Sequence, residues 1–446
     1  MLMRPLCLLL LVFAFSSLQA QYLISFELSN TYTEEDLRET WKENKVPEFI
    51  SPVNYGVEVY DIDYWTTWHD GSRIKASGLY WVPIEVRENL PLTVFHHGSR
   101  SKRSRNVGLD GEQVIAVALA TDGYAAVTPD YVGLGRGEKH HLYHHAETEA
   151  NSALDMIRAI RELNDIIEVG LRDQLFISGY SQGGHAAMAT AKMIEENYPE
   201  EFPLTASAPL SGAYDLGGVQ TSKMFDPYAA SGYLPFLLWG FNEVYDIYPS
   251  MHDVLKPEYA DQVMYMMESG EYTLGAISDI IPEVPAEVVK DEIVRAYLSD
   301  PAFPFRKALE ENSLTDWKPE RPMQICYCKP DEQVDYRNAL VAKERMKELG
   351  SKSVKVKNTG RFDHRTCALY ASVYTKMYFD SFSKKGSTKG RKGPVFKRML
   401  ISIAKIGTPK SKLENPKEIL WSAICWKGNK SVPTVLMESG AQYKTV

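Results

Sequence analysis

Five residues, Gly179-Tyr180-Ser181-Gln182-Gly183, do more than any others to restrict what this chain can fold into. They join an apolar run at 174–179 to a segment with helical spacing at 185–197. A strand that passes into a helix over so few residues must turn sharply, and the turn crowds backbone segments together where only small side chains fit. Gly179 and Gly183 meet that need two positions either side of Ser181, and Gly184 permits further close packing. Such a turn lifts the Ser181 hydroxyl above the end of a strand. It also aims the Gln182 amide, at the start of the helix, into the same space.

The rest of the chain supplies a sheet to hold that turn. Residues 55–68 and 74–83 are rich in Val, Tyr, Trp and Ile and are separated at Asp70-Gly71, which predicts a hairpin. Short apolar runs at 90–95, 124–129, 174–179, 204–210, 323–328 and 354–358 read as strands. They alternate with helix-like segments at 112–121, 145–167, 185–197, 334–349 and 365–382. In 145–167, Ala153, Met156, Ile157, Ile160 and Leu163 recur at three- and four-residue spacing. Strands without alternation, each followed by a helix, predict an α/β fold: a mostly parallel sheet covered on both faces, with the hairpin as an antiparallel edge. The alternation breaks from about 214 to 320, where aromatic residues and prolines fill irregular, partly helical pieces. So long a connection predicts an inserted cap.

The ends of the chain differ in character from this body. Arg4, an apolar run at 6–15 and the small Ala20 fit an export signal cleaved after residue 20. The run is shorter than the roughly 18 apolar residues a membrane span requires. Beyond Ser383 the chain holds 14 Lys/Arg against 3 Asp/Glu, leaving 35 against 55, a balance of −20, for residues 21–383. An acidic body argues against nucleic acid as a partner; the basic tail is read as a solvated extension, with transient contact to a lipid surface left open. The expected organisation is therefore signal 1–20, core 21–213, helical lid 214–320, core 321–383 and basic extension 384–446. The expected location is secreted or periplasmic. Cys326, Cys328, Cys367 and Cys425 follow the signal. Cys326 and Cys328, two apart on a strand, are held too rigidly to bridge each other, and read as structural or free thiols.

A serine hydroxyl becomes a nucleophile only when a base removes its proton and a third group orients the base. Beyond the turn's own His185, only His252 and His364 lie downstream. His364 follows the last strand, where the chain returns to the turn's end of the sheet, whereas His252 lies in the insertion. Asp331 is the first carboxylate after the preceding strand and is positioned to hold the imidazole; Glu332 and Asp335 read as early-helix acids and Asp363 as a loop carboxylate. The loop after the strand at 90–95, His97-Gly98-Ser99, offers the Ser99 amide as a second oxyanion donor beside Gln182. The cluster His140, His141, His144 and His145 with Glu147 and Glu149 invites a metal reading. Those residues join a strand end to a helix start, and a triad needs no metal, so neither metal nor cofactor is expected. The loop 129–135 lacks the Lys-Ser/Thr of a phosphate loop.

Four stretches in order resemble the secretory-lipase-like α/β-hydrolases. They are His97-Gly98-Ser99; Thr128-Pro129-Asp130-Tyr131 with Gly133, Gly135 and 143–147; Gly179 to His185; and Asp331-Glu332-Gln333-Val334 with Asp363-His364. The likeness runs from about residue 54 to 382 and departs at Pro330 and Asp335, beside the acid. It implies an α/β-hydrolase fold, the triad Ser181, Asp331 and His364, a largely helical lid between the sixth and seventh predicted strands, and hydrolysis of carboxylic esters including acylglycerols. Tyr233, Leu234, Phe236, Leu237, Leu238, Trp239, Phe241, Met264, Met266 and Met267 are expected to divide between an acyl cleft and the cap's own core. A secreted serine peptidase on the same scaffold is the alternative, and a catalytically silent binding protein a second.

Overall fold

Val94 and Phe95, adjacent in one strand, are both fully buried, and so are Phe176 and Ile177 in its neighbour. Successive side chains point to opposite faces, so both faces of the sheet are covered. Val94 and Ile177 join the core under one layer of helices, Phe95 and Phe176 the core under the other. Truncating a ring such as Phe176 to Ala costs about 3–5 kcal/mol.

The structure is a computed structural model. It describes residues 21–383 apart from 44–45, 49–50, 105–108 and 110, together with residues 401, 405 and 408. The expected signal at 1–20 and nearly all of the extension at 384–446 lie outside the described residues. The chain runs β1 (Leu23–Tyr32), α1 (Glu34–Glu43), β2 (Val57–Thr67), β3 (Arg73–Pro83), β4 (Leu90–His96), α2 (Gln113–Ala120), β5 (Ala125–Pro129), α3 (Ala146–Ile167), β6 (Leu171–Tyr180), α4 (Gln182–Asn197) and β7 (Leu204–Leu210). A helical insertion follows: α5 (Tyr233–Tyr245), α6 (Pro257–Ser269), α7 (Leu274–Ser278), α8 (Asp291–Ser299) and α9 (Pro304–Glu311). The core resumes with β8 (Met323–Cys328), α10 (Arg337–Glu348), β9 (Val354–Gly360) and α11 (His364–Ser383).

The nine strands form one sheet in the order β1-β2-β3-β5-β4-β6-β7-β8-β9. β1, β2, β3 and β5 pair antiparallel in succession; from β5 through β4 to β9 every pairing is parallel. β1 and α1 were not predicted, so the insertion follows the seventh strand here rather than the sixth. It has its own apolar core, with Phe241, Leu255, Val263, Ile277 and Leu309 buried among one another.

Register decides where the site forms. His96 lies opposite Gly179, Tyr180 opposite Leu210, Leu210 opposite Cys326 and Cys328 opposite Gly360. The C-terminal ends of β4, β6, β7, β8 and β9 are thus level, and the loops leaving them share one rim. Ligands of open α/β sheets bind outside that edge.

Candidate active site

Ser181 stands between β6 and α4 with φ +61° and ψ −119°, a backbone state that residues other than glycine adopt at a cost in strain. The surrounding backbone holds it there. A Cβ added to Gly183 would lie 2.0 Å from the His96 carbonyl oxygen, and one added to Gly179 would lie 2.2 Å from that of Gly183. The Ser181 amide donates to the Leu210 carbonyl at 3.0 Å, tying the turn to β7. The strand–turn–helix expected of these five residues is present.

His364 is the first residue of α11. Asp363 before it caps the helix, its carboxylate accepting the Thr366 amide at 2.7 Å, which corrects its reading as a plain loop carboxylate. The His364 imidazole Nδ1 lies 2.8 Å and 2.9 Å from the two carboxylate oxygens of Asp331. Both residues are buried, His364 5% and Asp331 6% exposed. Acceptors on that side require the proton on Nδ1 and leave Nε2 with its lone pair. Asp331 is itself held, its Oδ1 accepting the amides of Gln333 at 3.1 Å and Val334 at 2.9 Å. Those bonds delay α10 to Arg337, so Glu332 and Asp335 are not early-helix acids. Instead Glu332 accepts the His364 amide at 2.9 Å, and Asp335 accepts that of Arg337 at 2.9 Å.

Burial alone pushes the His364 pKa down. The Asp331 carboxylate, its hydrogen bond, and the charges of Glu332 and Glu112 outweigh that and leave it raised above the usual 6.5.

A disulfide reinforces this pairing. Cys328 and Cys367 are bonded across 39 residues, with Cα atoms 5.9 Å apart, while Cys326 is a buried free thiol. The reading of Cys328 as a thiol is corrected; only the fold brings Cys367 beside it. The bridge lies three residues from Asp331 on one side and three from His364 on the other, so it fastens the acid's loop to the base's helix. A Cys328→Ala/Cys367→Ala variant is expected to lose about 2–5 kcal/mol in urea unfolding. Its kcat should fall more than its KM changes.

The structure brings Asp331 and His364 into contact but does not join Ser181 to His364 by a hydrogen bond. Among the described residues, neither the Ser181 hydroxyl nor His364 Nε2 has a hydrogen-bond partner. Tyr180 spans the two: it precedes Ser181, its ring lies 4.9 Å from the imidazole, and its hydroxyl donates to the His364 carbonyl. In sites without substrate such contacts are often long and tighten on binding.

The expected oxyanion donors are free. Neither the Ser99 amide nor the Gln182 amide has an acceptor among the described residues. The Gln182 side chain turns away from the site, its Nε2 lying 2.8 Å from Glu149 Oε1 and 2.7 Å from His141 Nε2. Sequence reasoning missed two neighbours, Tyr143, whose hydroxyl shares a 2.7 Å hydrogen bond with that of Ser99, and Glu112. Tyr143 opens the 143–147 stretch that carries the family likeness, but no spacing places it or Glu112 beside Ser181, because both arrive through loops.

The histidine cluster serves packing. His140 stacks on Trp239 at 4.3 Å, and burial holds His141 and His145 down to about 4 and His144 well below 6.5. Ligand atoms of His144, Glu149 and His185 lie within 4.8 Å of one another, the one such group among the described residues. Yet both Glu149 oxygens are engaged by Gln182 and His185, and both His185 nitrogens by Glu149 and the Asn312 carbonyl. Glu149 and His185 are thus committed to joining α3, α4 and the insertion, while His144 Nδ1 is buried without a partner among the described residues.

Above Ser181 lies a cleft lined by Tyr143, Tyr228, Tyr233, Leu234, Leu237 and Val334 among others. A second, apolar pocket in the insertion shares Met224 and Leu234 with it. Of the residues expected at an acyl cleft, Tyr233, Leu234 and Leu237 line the first space and Leu238 the second. Phe236, Phe241, Met264, Met266 and Met267 belong to the insertion's core, and Trp239 packs against it.

A family model described as secretory lipase matches residues 99–379. The chain belongs to the secretory lipase family. Solved structures agree. The rice cell wall degrading esterase LipA of Xanthomonas oryzae is 27% identical with TM-score 0.70, covering 79% of this chain and 95% of that one. A Legionella pneumophila protein is 25% identical with TM-score 0.75, covering 82% and 100%. Lipase A of Candida antarctica in its closed state shares the fold at 16% identity, TM-score 0.63 and 84% coverage of each chain. No curated protein matches. This family member is thus an α/β-hydrolase-fold hydrolase of the lipase and esterase kind. Among its described residues no helix is long and apolar enough to cross a membrane.

Proposed function

We propose that this protein is an exported carboxylic-ester hydrolase working through Ser181, His364 and Asp331 and a covalent acyl-enzyme. The observation that carries the reading is the double Asp331–His364 contact at 2.8 and 2.9 Å on the rim where Ser181 is held at φ +61°. In the first step His364 Nε2 takes the Ser181 proton as the oxygen attacks the ester carbonyl. The Ser99 and Gln182 amides hold the oxyanion, and the imidazolium returns its proton to the leaving alkoxide. Water, deprotonated by the same imidazole, then attacks the acyl carbonyl; the bond to Ser181 Oγ breaks, and the imidazolium returns the proton to that oxygen. A fluorophosphonate probe should label wild type at Ser181 in stoichiometric amount. Failure to label while aminoacyl anilides are cleaved would turn the reading towards a peptidase. Export predicts a mature chain beginning at Gln21.

The cleft above Ser181 takes the acyl chain, and Leu234, shared with the inner cavity, controls how much chain enters. Leu234→Trp is therefore expected to lower kcat/KM for p-nitrophenyl laurate by about tenfold or more and to leave the acetate within about threefold. Equal losses on both esters would place the acyl chain elsewhere.

A further inference from the structure

Glu112 occupies the N-cap position of α2 but does not cap it. Its side chain reaches instead into the loop after β4, where Oε2 accepts the Gly98 amide at 2.6 Å. A Cβ built on Gly98 would lie 2.9 Å from Glu112 Oε1 and 3.6 Å from the Ser181 Cβ, so carboxylate and serine border the same glycine. The nearby cation, Arg100, is committed elsewhere, donating to Asp130 at 2.8 Å. Glu112 forms no ion pair among the described residues. A buried carboxylate with no ion pair among the described residues, set beside the nucleophile's loop, is costly, and a cost retained at such a place calls for a function.

The Gly98 bond supplies one. Once Glu112 takes that amide, the loop cannot rotate it into the site, whereas the next amide, Ser99, has no acceptor among the described residues. We propose that Glu112 is the positioning residue of the oxyanion loop, holding the Gly98 amide so that the Ser99 amide meets the substrate's carbonyl oxygen. The inference rests on Ser181 being the nucleophile. Glu112 also acts at a distance. The charged and titratable groups facing it are Arg100 from its own loop, Tyr131 from the loop after β5, Tyr233 from α5 and His364 from α11. Burial raises Glu112 to about 7 against the opposing Gly98 bond, and its charge helps raise His364, on which Asp331 and Glu332 act more strongly.

Glu112→Ala and Glu112→Gln separate these effects on p-nitrophenyl butyrate. Glu112→Ala frees the loop, and kcat should fall about 10- to 100-fold with KM within about twofold, somewhat less than the loss of a whole oxyanion donor. Glu112→Gln keeps an oxygen for the Gly98 amide, so kcat should recover to within about threefold of wild type. Its acid limb of kcat/KM should move to lower pH, because a charge that raises His364 is gone. A purely structural residue would not move that limb. Full activity in Glu112→Ala, or an acid limb unmoved in Glu112→Gln, overturns the proposal; the Gln result decides alone if the Ala variant does not fold. Fluorophosphonate labelling of wild type keeps the two failures apart. Without Ser181 labelling the catalytic reading falls and this one with it, whereas labelling with an indifferent Glu112 removes only the present inference.

Discussion

Ser181→Ala is expected to hydrolyse p-nitrophenyl esters on the order of 10⁴- to 10⁶-fold more slowly than wild type. The loss should fall on kcat, because the Ser99 and Gln182 amides proposed to hold the oxyanion and the cleft proposed to take the acyl chain remain. That remainder sustains roughly 10³- to 10⁴-fold catalysis over water in enzymes of this type. Folding should not suffer. The Ser181 hydroxyl has no hydrogen-bond partner among the described residues, so its removal leaves no buried group unsatisfied, and alanine meets the same backbone strain at φ +61°. The midpoint of thermal unfolding should therefore stay within about 1 °C, the scale of roughly 1 kcal/mol in a protein of this size. An alanine variant that keeps more than about one-hundredth of wild-type kcat, with fluorophosphonate still reacting, would assign the nucleophile to another residue.

How far this site was legible depends on how local its causes are. Gly179 and Gly183 announce the turn because their constraint, a Cβ colliding with backbone 2.0–2.2 Å away, is set within a few residues of Ser181. The central strands were readable because both sheet faces are covered and their residues are apolar throughout. β1 does alternate, Ile24, Phe26 and Leu28 with Ser25, Glu27 and Ser29, but both sets are exposed or half-buried on an edge paired on one side only, so the pattern points to no core. α1 buries only Leu37 and Trp41, too few to set a period. The start of α10 was misplaced because the side chains of Asp331 and Asp335 capture the amides that helix would have used. The Cys328–Cys367 bond and the Glu112–Gly98 contact depend on where loops return, which no spacing in the chain encodes.

Asp331→Asn should cost on the order of 10³- to 10⁴-fold in kcat, although it changes one atom. The reason lies in what already binds the carboxylate. Oδ1 is held by the Gln333 and Val334 amides, so an asparagine must keep its carbonyl oxygen there and place its NH₂ at Oδ2, 2.9 Å from Nδ1. That donor opposes the 2.8 Å contact of Oδ1 with the same nitrogen and favours the tautomer with its proton on Nε2, which has no lone pair to receive the Ser181 proton. The pH dependence carries a second signature. Catalysis needs neutral His364, so activity is present above its pKa and is lost as pH falls through it. Wild type, with His364 raised by Asp331 against the lowering by burial, should show its acid limb above 6.5. Removing the charge should shift the residual limb to lower pH, measurable in kcat/KM profiles from about pH 5 to 9. Were Asp331→Asn to retain activity within tenfold and keep the wild-type limb, the imidazole's partner would have to be sought in Glu332, which already accepts the His364 amide.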